Sequence, residues 1–284
     1  MSVSNLILDI KRKAQLGQNQ QTITNADIVD LANRELQTYL TPKLIAVQER
    51  YFAAFAEYTI TPNRRRYRIP ARCIGGRVLD VVLVQSGIEY RLPRLHPTSD
   101  VRLDPGFIIS GRDIVLCGDV LSGVLRIYYQ LRPSTLVEAA TSFAISAVSS
   151  SNIASTAPAG TFDVVATSGL GQIAIPNAIS SGSSVMTGSS DWVLPQDLTN
   201  FAYVGDVAKT AGQTNIVPLP LELHDVLAFR CAMRLKQMQG LNEEMQVIAS
   251  MTEQLERNAF DLITPRSENA EKSIDPKDLL GGWY

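Results

Sequence analysis

The sequence predicts an α+β fold: a helical bundle formed by the N- and C-terminal segments, with a β-rich middle of hairpins plus an inserted small β-domain. Three observations predict it. Apolar residues recur at helical spacing near both ends, the period drops to two from Tyr58 onward, and between Glu138 and Asp191 the composition shifts abruptly to Ser, Ala, Thr and Gly. The expected units are 1–57 and 219–263 for the bundle, 58–137 for the hairpins, 138–218 for the inserted β-domain and 264–284 for an extended C-terminal tail.

A short helix is expected over Asn5 to Gln15, and the clearest helix signal runs from Thr24 to Phe52. Thr24 can accept from the orphan amides of the first turn, with Asp27 at the reciprocal position of a capping box. Ile28, Leu31, Ala32, Leu36, Tyr39, Leu40, Leu44, Val47 and Tyr51 then form one stripe. Thr41-Pro42 interrupts it, which predicts either a kink or a fresh helix with Thr41 as its cap.

Beyond Tyr58, Tyr58 to Ile60 and Tyr67 to Ile69 flank Pro62-Asn63, Arg77 to Val84 and Ile88 to Leu92 flank Ser86-Gly87, and Phe107 to Ile109 and Ile114 to Leu116 flank Gly111. These read as successive hairpins, with Val124 to Leu131 as a further strand. In the Ser/Ala-rich stretch Asp163 is the only charged residue, and Phe143, Ile145, Phe162, Val164, Val165, Ile173 and Ile175 come in short β-like clusters. That pattern favours a small β-domain over a flexible linker. Uncharged strands of this kind need their edges covered.

Pro218 and Pro220 precede a second helical region. Leu223, Leu227, Cys231, Leu235 and Met238 make one stripe, Gly240 suits the end of that helix, and Asn242 suits the cap of the next. The last stripe is Met245, Ile248, Ala249, Thr252, Leu255, Ala259 and Leu262.

Charge and chemistry narrow the function. Lys and Arg total 26 against 28 Asp and Glu, so a net charge of -2 gives no global attraction to nucleic acid or an anionic membrane. No apolar run approaches the roughly 18 residues of a membrane span, and the N-terminus is too charged for a classical signal, so no membrane association is expected. Cys73, Cys117 and Cys231 form no CxxC pair and read as reduced, buried small hydrophobes. His96 and His224 have no neighbours at metal-ligand spacing, and no GxSxG elbow or Walker A sequence is present. Gly169-Leu170-Gly171 lacks the third glycine of a dinucleotide fingerprint and reads as a turn. No catalytic residue, metal or cofactor is assigned.

Two features point to partners. Arg64, Arg65, Arg66 and Arg68, extended by Arg72 and Arg77, form the strongest charge run, and strand alternation puts Arg66 and Arg68 on one face with Tyr67 and Ile69 on the other. Those arginines are either a solvated face or an oligomer or partner contact. Thr264 to Tyr284 has lost helical periodicity yet ends in Trp283-Tyr284, an aromatic pair suited to anchoring on a partner.

The run Ile23-Thr24-Asn25-Ala26-Asp27-Ile28-Val29-Asp30-Leu31-Ala32-Asn33-Arg34-Glu35-Leu36 and the Tyr-x-Ile spacing repeated between Tyr58 and Pro70 resemble the head-to-tail adaptor, or connector, proteins of short-tailed bacteriophages. Val204-Gly205-Asp206, Ala211-Gly212-Gln213-Thr214 and Pro220-Leu221-Glu222-Leu223-His224 resemble the approach to the C-terminal helices of such proteins. The resemblance covers roughly Ile23 to Leu131 and Phe201 to Leu262. It implies a homo-oligomeric ring, typically of twelve copies, at the head-tail interface of the virion. Such a ring sits between the portal protein and the tail nozzle or tube, and genomic DNA passes through it without sequence reading. It also implies portal binding by the C-terminal extension, hence by Trp283 and Tyr284. The alternatives are a tail-fibre or carbohydrate-binding module built on the β-rich middle and, third, a hydrolase whose site no motif marks.

Overall fold

The computed structural model describes residues 1–16, 22–96, 105–118, 122–166, 173–182, 185–187 and 202–264, and their fold is mixed α and β. Helix α1 spans Val3–Lys13, with the Ser2 side chain accepting from the Asn5 amide at 3.2 Å, and α2 spans Asn25–Arg34. The Thr24 and Asp27 capping box is formed: Asp27 N–H donates to Thr24 Oγ1 at 3.2 Å and Thr24 N–H to Asp27 Oδ2 at 2.8 Å.

At Thr41-Pro42 the helix neither breaks nor restarts. Glu35–Leu40 forms a π-helical stretch that runs straight into α3 (Thr41–Val47). Thr41 keeps helical angles, φ −59° and ψ −50°, and both its amide and its hydroxyl donate to the Leu36 carbonyl, the hydroxyl at 2.7 Å. The wider turn makes room for the proline ring, which would otherwise meet the carbonyl one turn back. Thr41 is therefore not a cap.

Helices α4 (Glu222–Met238) and α5 (Asn242–Ile263) are joined through Gly240, whose φ of +75° ends the first. Leu241, not Asn242, occupies the cap position of α5. Leu6 and Ile10 of α1, Ile28 of α2, Leu36, Leu40 and Leu44, Leu227, Cys231 and Leu235 of α4, and Ala259 and Ile263 of α5 belong to one buried cluster. The two ends of the chain thus cover each other's apolar stripes. Each fully buried Leu or Ile contributes about 1.5 to 3 kcal/mol. Glu35, almost wholly buried, accepts from Arg230 Nε at 2.7 Å and Arg234 Nε at 3.0 Å.

The strands of the next region are β1 (Ala53–Thr59), β2 (Arg66–Arg68), β3 (Cys73–Gln85), β4 (Ile88–Arg91), β5 (Gly106–Ser110), β6 (Asp113–Cys117), β7 (Val124–Leu131) and β8 (Thr135–Leu136). The β structure thus begins at Ala53, ahead of the expected change of period at Tyr58. Two of the three expected hairpins form, β3 with β4 and β5 with β6. Ser86 and Gly87 take positive φ, 50° and 80°, as a tight primed turn requires. The third does not form: β1 pairs antiparallel with β7 over Ala53↔Gln130 to Thr59↔Val124, while β2 pairs with β6. A long partner for β1 outcompetes the three residues of β2, and the segment after Ile60 crosses into another sheet. The result is a sheet ordered β1-β7-β3-β4 and a second ordered β2-β6-β5, sharing a core that includes Tyr58, Tyr67, Val81, Phe107, Ile114, Ile127 and Tyr129. Tyr58 bridges the two, its hydroxyl donating to the Arg68 carbonyl at 2.7 Å.

The Ser/Ala-rich segment contains β9 (Ser142–Val148), β10 (Ile153–Ser155), β11 (Gly160–Val165), β12 (Ile173–Ser180) and β13 (Val185–Thr187), followed by β14 (Val207–Thr210) and β15 (Gln213–Thr214). Strands β10-β13-β12-β11-β14-β9 close into a barrel around Ile145, Ile153, Phe162, Val164, Ile175 and Ala208. Closure leaves no free edge, which explains how strands almost without charge avoid unwanted pairing. β15 pairs in parallel with β8, and Asn33 of α2 brackets Leu136 with hydrogen bonds of 3.0 and 2.7 Å, returning the chain to the helices.

The single charge of that segment, Asp163, makes the junction. It is fully buried and accepts from Arg72 Nη1 at 2.6 Å, the Asn177 amide at 3.0 Å and the Gly212 amide at 3.0 Å. Arg72 also donates to Ser134 Oγ at 3.0 Å and to the Arg132 carbonyl at 3.3 Å. Barrel, sheet and returning strand therefore meet at one carboxylate. Asp163→Ala, which strands the arginine and two amides, should lower unfolding free energy by about 3 to 5 kcal/mol in urea titrations; a loss under about 1 kcal/mol would show the junction to be incidental.

Candidate functional site

Four of the five cysteine and histidine side chains are buried. Cys73, Cys117 and Cys231 are buried and free, and burial pushes all three thiols up, Cys73 to about 11. Such thiols hold their protons at neutral pH and pack as apolar groups. His96 is exposed, while His224 is buried in the first turn of α4, its Nε2 3.0 Å from the Leu219 carbonyl. Among the described residues no group of His, Cys, Asp and Glu is arranged to hold a metal ion. Gly169-Leu170-Gly171 lies outside the described residues.

The arginine run is sorted by the fold into different roles. Arg72 turns inward to Asp163, and Arg77 pairs with Glu49 at 2.7 Å. Arg64 lies with its guanidinium 5.0 Å from the centre of the Tyr67 ring and donates to the Arg66 carbonyl at 3.2 Å. Arg65, Arg66 and Arg68 are exposed, and Arg66 reaches Asp113 only at 3.9 Å. Tyr67 and Ile69 are buried on the opposite face, because β2 alternates along its length. Arg66 and Arg68 therefore lie on the edge strand β2 of β2-β6-β5, with Arg64 and Arg65 just ahead of it and Arg72 and Arg77 apart from them.

A second surface lies on the helices. Val247 is 62%, Met251 48% and Leu262 75% exposed, and their spacing of four and eleven residues puts them on one stripe of α5. Met238 and Leu241, at the turn between α4 and α5, are exposed as well. The sequence pattern expects Met238 and Leu262 on buried faces; in the fold Ile263 takes the buried place at the end of α5. Val247 and Met251, four residues apart, are the sequence signal of a second apolar row. Trp283 and Tyr284 lie outside the described residues.

Between the α5 stripe and the core runs an ionic network. Glu256, nearly buried, accepts from the Tyr39 hydroxyl at 3.0 Å and pairs with Lys43, and the Arg230 guanidinium sits 3.2 Å from the centre of the Tyr39 ring. It fixes α5 against α3 and α4, so the outward row is presented on a held helix. No protein-family model matches the chain, and no curated protein matches it either. No helix among the described residues is long and apolar enough to cross a membrane.

His224 makes the helical unit acid-sensitive. Burial, the leading cause, lowers its pKa in the folded chain, so below the ordinary histidine value of about 6.5 the unfolded chain takes up a proton that the native one resists. Stability should therefore fall as pH drops below about 6.5, by at most about 1.4 kcal/mol per pH unit from this group. His224→Gln should flatten the pH 5 to 7 limb in thermal melts; an unchanged slope would assign it to other groups.

Proposed function

We propose that this protein is a virion structural protein, a head-to-tail adaptor whose copies form a closed ring between the portal and the tail nozzle or tube. Genomic DNA passes through the channel of that ring. The observation that carries this reading is the exposed apolar row of α5, Val247, Met251 and Leu262, mounted on helices drawn from both ends of the chain. Single exposed apolar residues are ordinary, but a stripe held by a buried ionic network is suited to meeting a second copy. In this reading the helices form the ring-building bundle and the sheets and barrel project from it. The resemblance of Ile23 to Leu36 and of Tyr58 to Pro70 to short-tailed phage adaptors supports it. Twelve copies, portal binding through Trp283 and Tyr284, and a nozzle or tube partner follow from that resemblance.

Negative-stain images of the purified chain, alone and mixed with the portal, test the ring; no closed ring in either sample would refute the proposal. The double substitution Val247→Asp and Met251→Asp should abolish assembly and leave the melting temperature of the free chain within about 2 °C, since both side chains already face water. Retention on cell-surface polysaccharide by a chain that forms no ring would move the function to the β-rich middle. Deleting residues 264–284 should leave far-UV circular dichroism and melting temperature unchanged while weakening portal binding at least tenfold.

A further inference from the structure

We infer that Lys209 and Asn215 form an intramolecular isopeptide bond, made by attack of the lysine amine on the asparagine side-chain amide with loss of ammonia. This modification does not depend on the ring reading. Ala208 belongs to the barrel core, so its neighbour Lys209 on β14 points outward, into the junction where the barrel meets the returning chain. Strands β11 and β9 flank β14 on its two sides, and Lys209 is 2% exposed. Its Nζ donates to Asn215 Oδ1 at 2.6 Å. Asn215 follows β15 and is held in its turn, its carbonyl accepting from the Val3 amide at 2.9 Å.

Lys209 differs from the other described lysines in what meets its amine. Lys13, Lys43 and Lys236 each pair with a carboxylate, and Lys11 makes a similar contact with Asn25 at 2.7 Å, but there the asparagine is exposed. Asp163 stands directly across from Lys209 on β11, yet its ion pair goes to Arg72. A second buried cation beside that neutralised carboxylate is disfavoured, and burial lowers the pKa of Lys209. The neutral amine suits the site: it donates one proton to Oδ1 and keeps a lone pair, the form in which a desolvated lysine acts as nucleophile.

At an ordinary carbonyl angle the 2.6 Å hydrogen bond leaves Nζ about 3 to 3.5 Å from Cγ, the separation of reacting atoms in a near-attack arrangement. Turning the Asn215 amide about its last side-chain bond presents its face to the lone pair. The lone pair then forms the Nζ–Cγ bond while the carbonyl electron pair moves to Oδ1. One Nζ proton passes to Nδ2, the Cγ–Nδ2 bond breaks as the carbonyl re-forms, and neutral ammonia leaves. Asp163, on the same face of the barrel wall, is the carboxylate in register to carry that proton. Nothing is oxidised or reduced and no co-reactant is consumed. Asn215 is only half-buried, so the ammonia reaches water. The bond closes residues 209–215 into a ring and fixes covalently the turn that leads from the barrel into β15.

Mass spectrometry of the full chain, purified folded and incubated at neutral pH, tests this. The chain should weigh one ammonia less than its sequence, and trypsin should fail to cut after Lys209, whose amine is no longer free. Fragment spectra of the peptide that spans the site should show no break within 209–215, because the ring holds both halves of a cleaved backbone together. Lys209→Met, which keeps the length of the side chain without its amine, and Asn215→Ala should each keep the mass of their sequence throughout; matching circular dichroism shows that both variants fold. Lys11 and Asn25 are the exposed control and should stay separate. The full sequence mass together with cleavage after Lys209 overturns the inference whatever the variants do. A lost ammonia in a chain that trypsin still cuts there also overturns it, since the loss then lies in a succinimide elsewhere, as does the same loss in either folded variant.

Discussion

Asp163 is the constraint on which the arrangement of the β units depends. A carboxylate removed from water must find its charge and hydrogen bonds within the protein, and each of its partners here comes from a different piece of chain: Arg72 before β3, Asn177 within β12 and Gly212 between β14 and β15. Asn177 and Gly212 come from the barrel and the chain that leaves it, and Arg72 reaches in from the sheet. Glu35 plays the same part among the helices, where Arg230 and Arg234 meet it from α4. In both places apolar burial provides cohesion and a buried anion selects the register.

Much of the local structure was legible in the sequence because its causes are local. Thr24 and Asp27 form the box that their spacing demands, Ser86-Gly87 makes the turn that only positive φ allows, and β7 runs from Val124 to Leu131 as its alternation indicates. What was not legible depends on competition between distant segments. Tyr58 to Ile60 and Tyr67 to Ile69 look like hairpin partners until β7, some sixty residues away, offers β1 a longer one. Met238 and Leu262 fit apolar stripes by spacing, but whether a stripe is covered depends on which helix lies across it. Asp163 carried a signal of another kind, a lone charge in an uncharged stretch, and its meaning needed Arg72, which the sequence groups with a different set of arginines.

The arginines show why a run of like residues is not a site until a fold divides it. Strand alternation alone sends Arg66 and Arg68 outward from Tyr67, while the chain's turn toward β3 carries Arg72 into the interior and Arg77 to Glu49. A cluster continuous in sequence becomes one structural lock, one surface ion pair and two outward side chains on an edge strand.

The helical core is built from the first and the last described parts of the chain, with both β units threaded between them. During synthesis Leu6 and Ile10 therefore leave the ribosome with only α2 and its continuation to cover them until Leu227 and Leu235 follow, more than two hundred residues later. At elongation rates of about 5 to 20 residues per second that interval is on the order of 10 to 40 s. Both β units, whose contacts are nearer in sequence, are synthesised within it, and α5 follows them. A chain released early would carry a finished barrel and sheets but lack the helix that bears Val247 and Met251. The order of synthesis thus withholds the exposed apolar row of α5 from every incomplete copy.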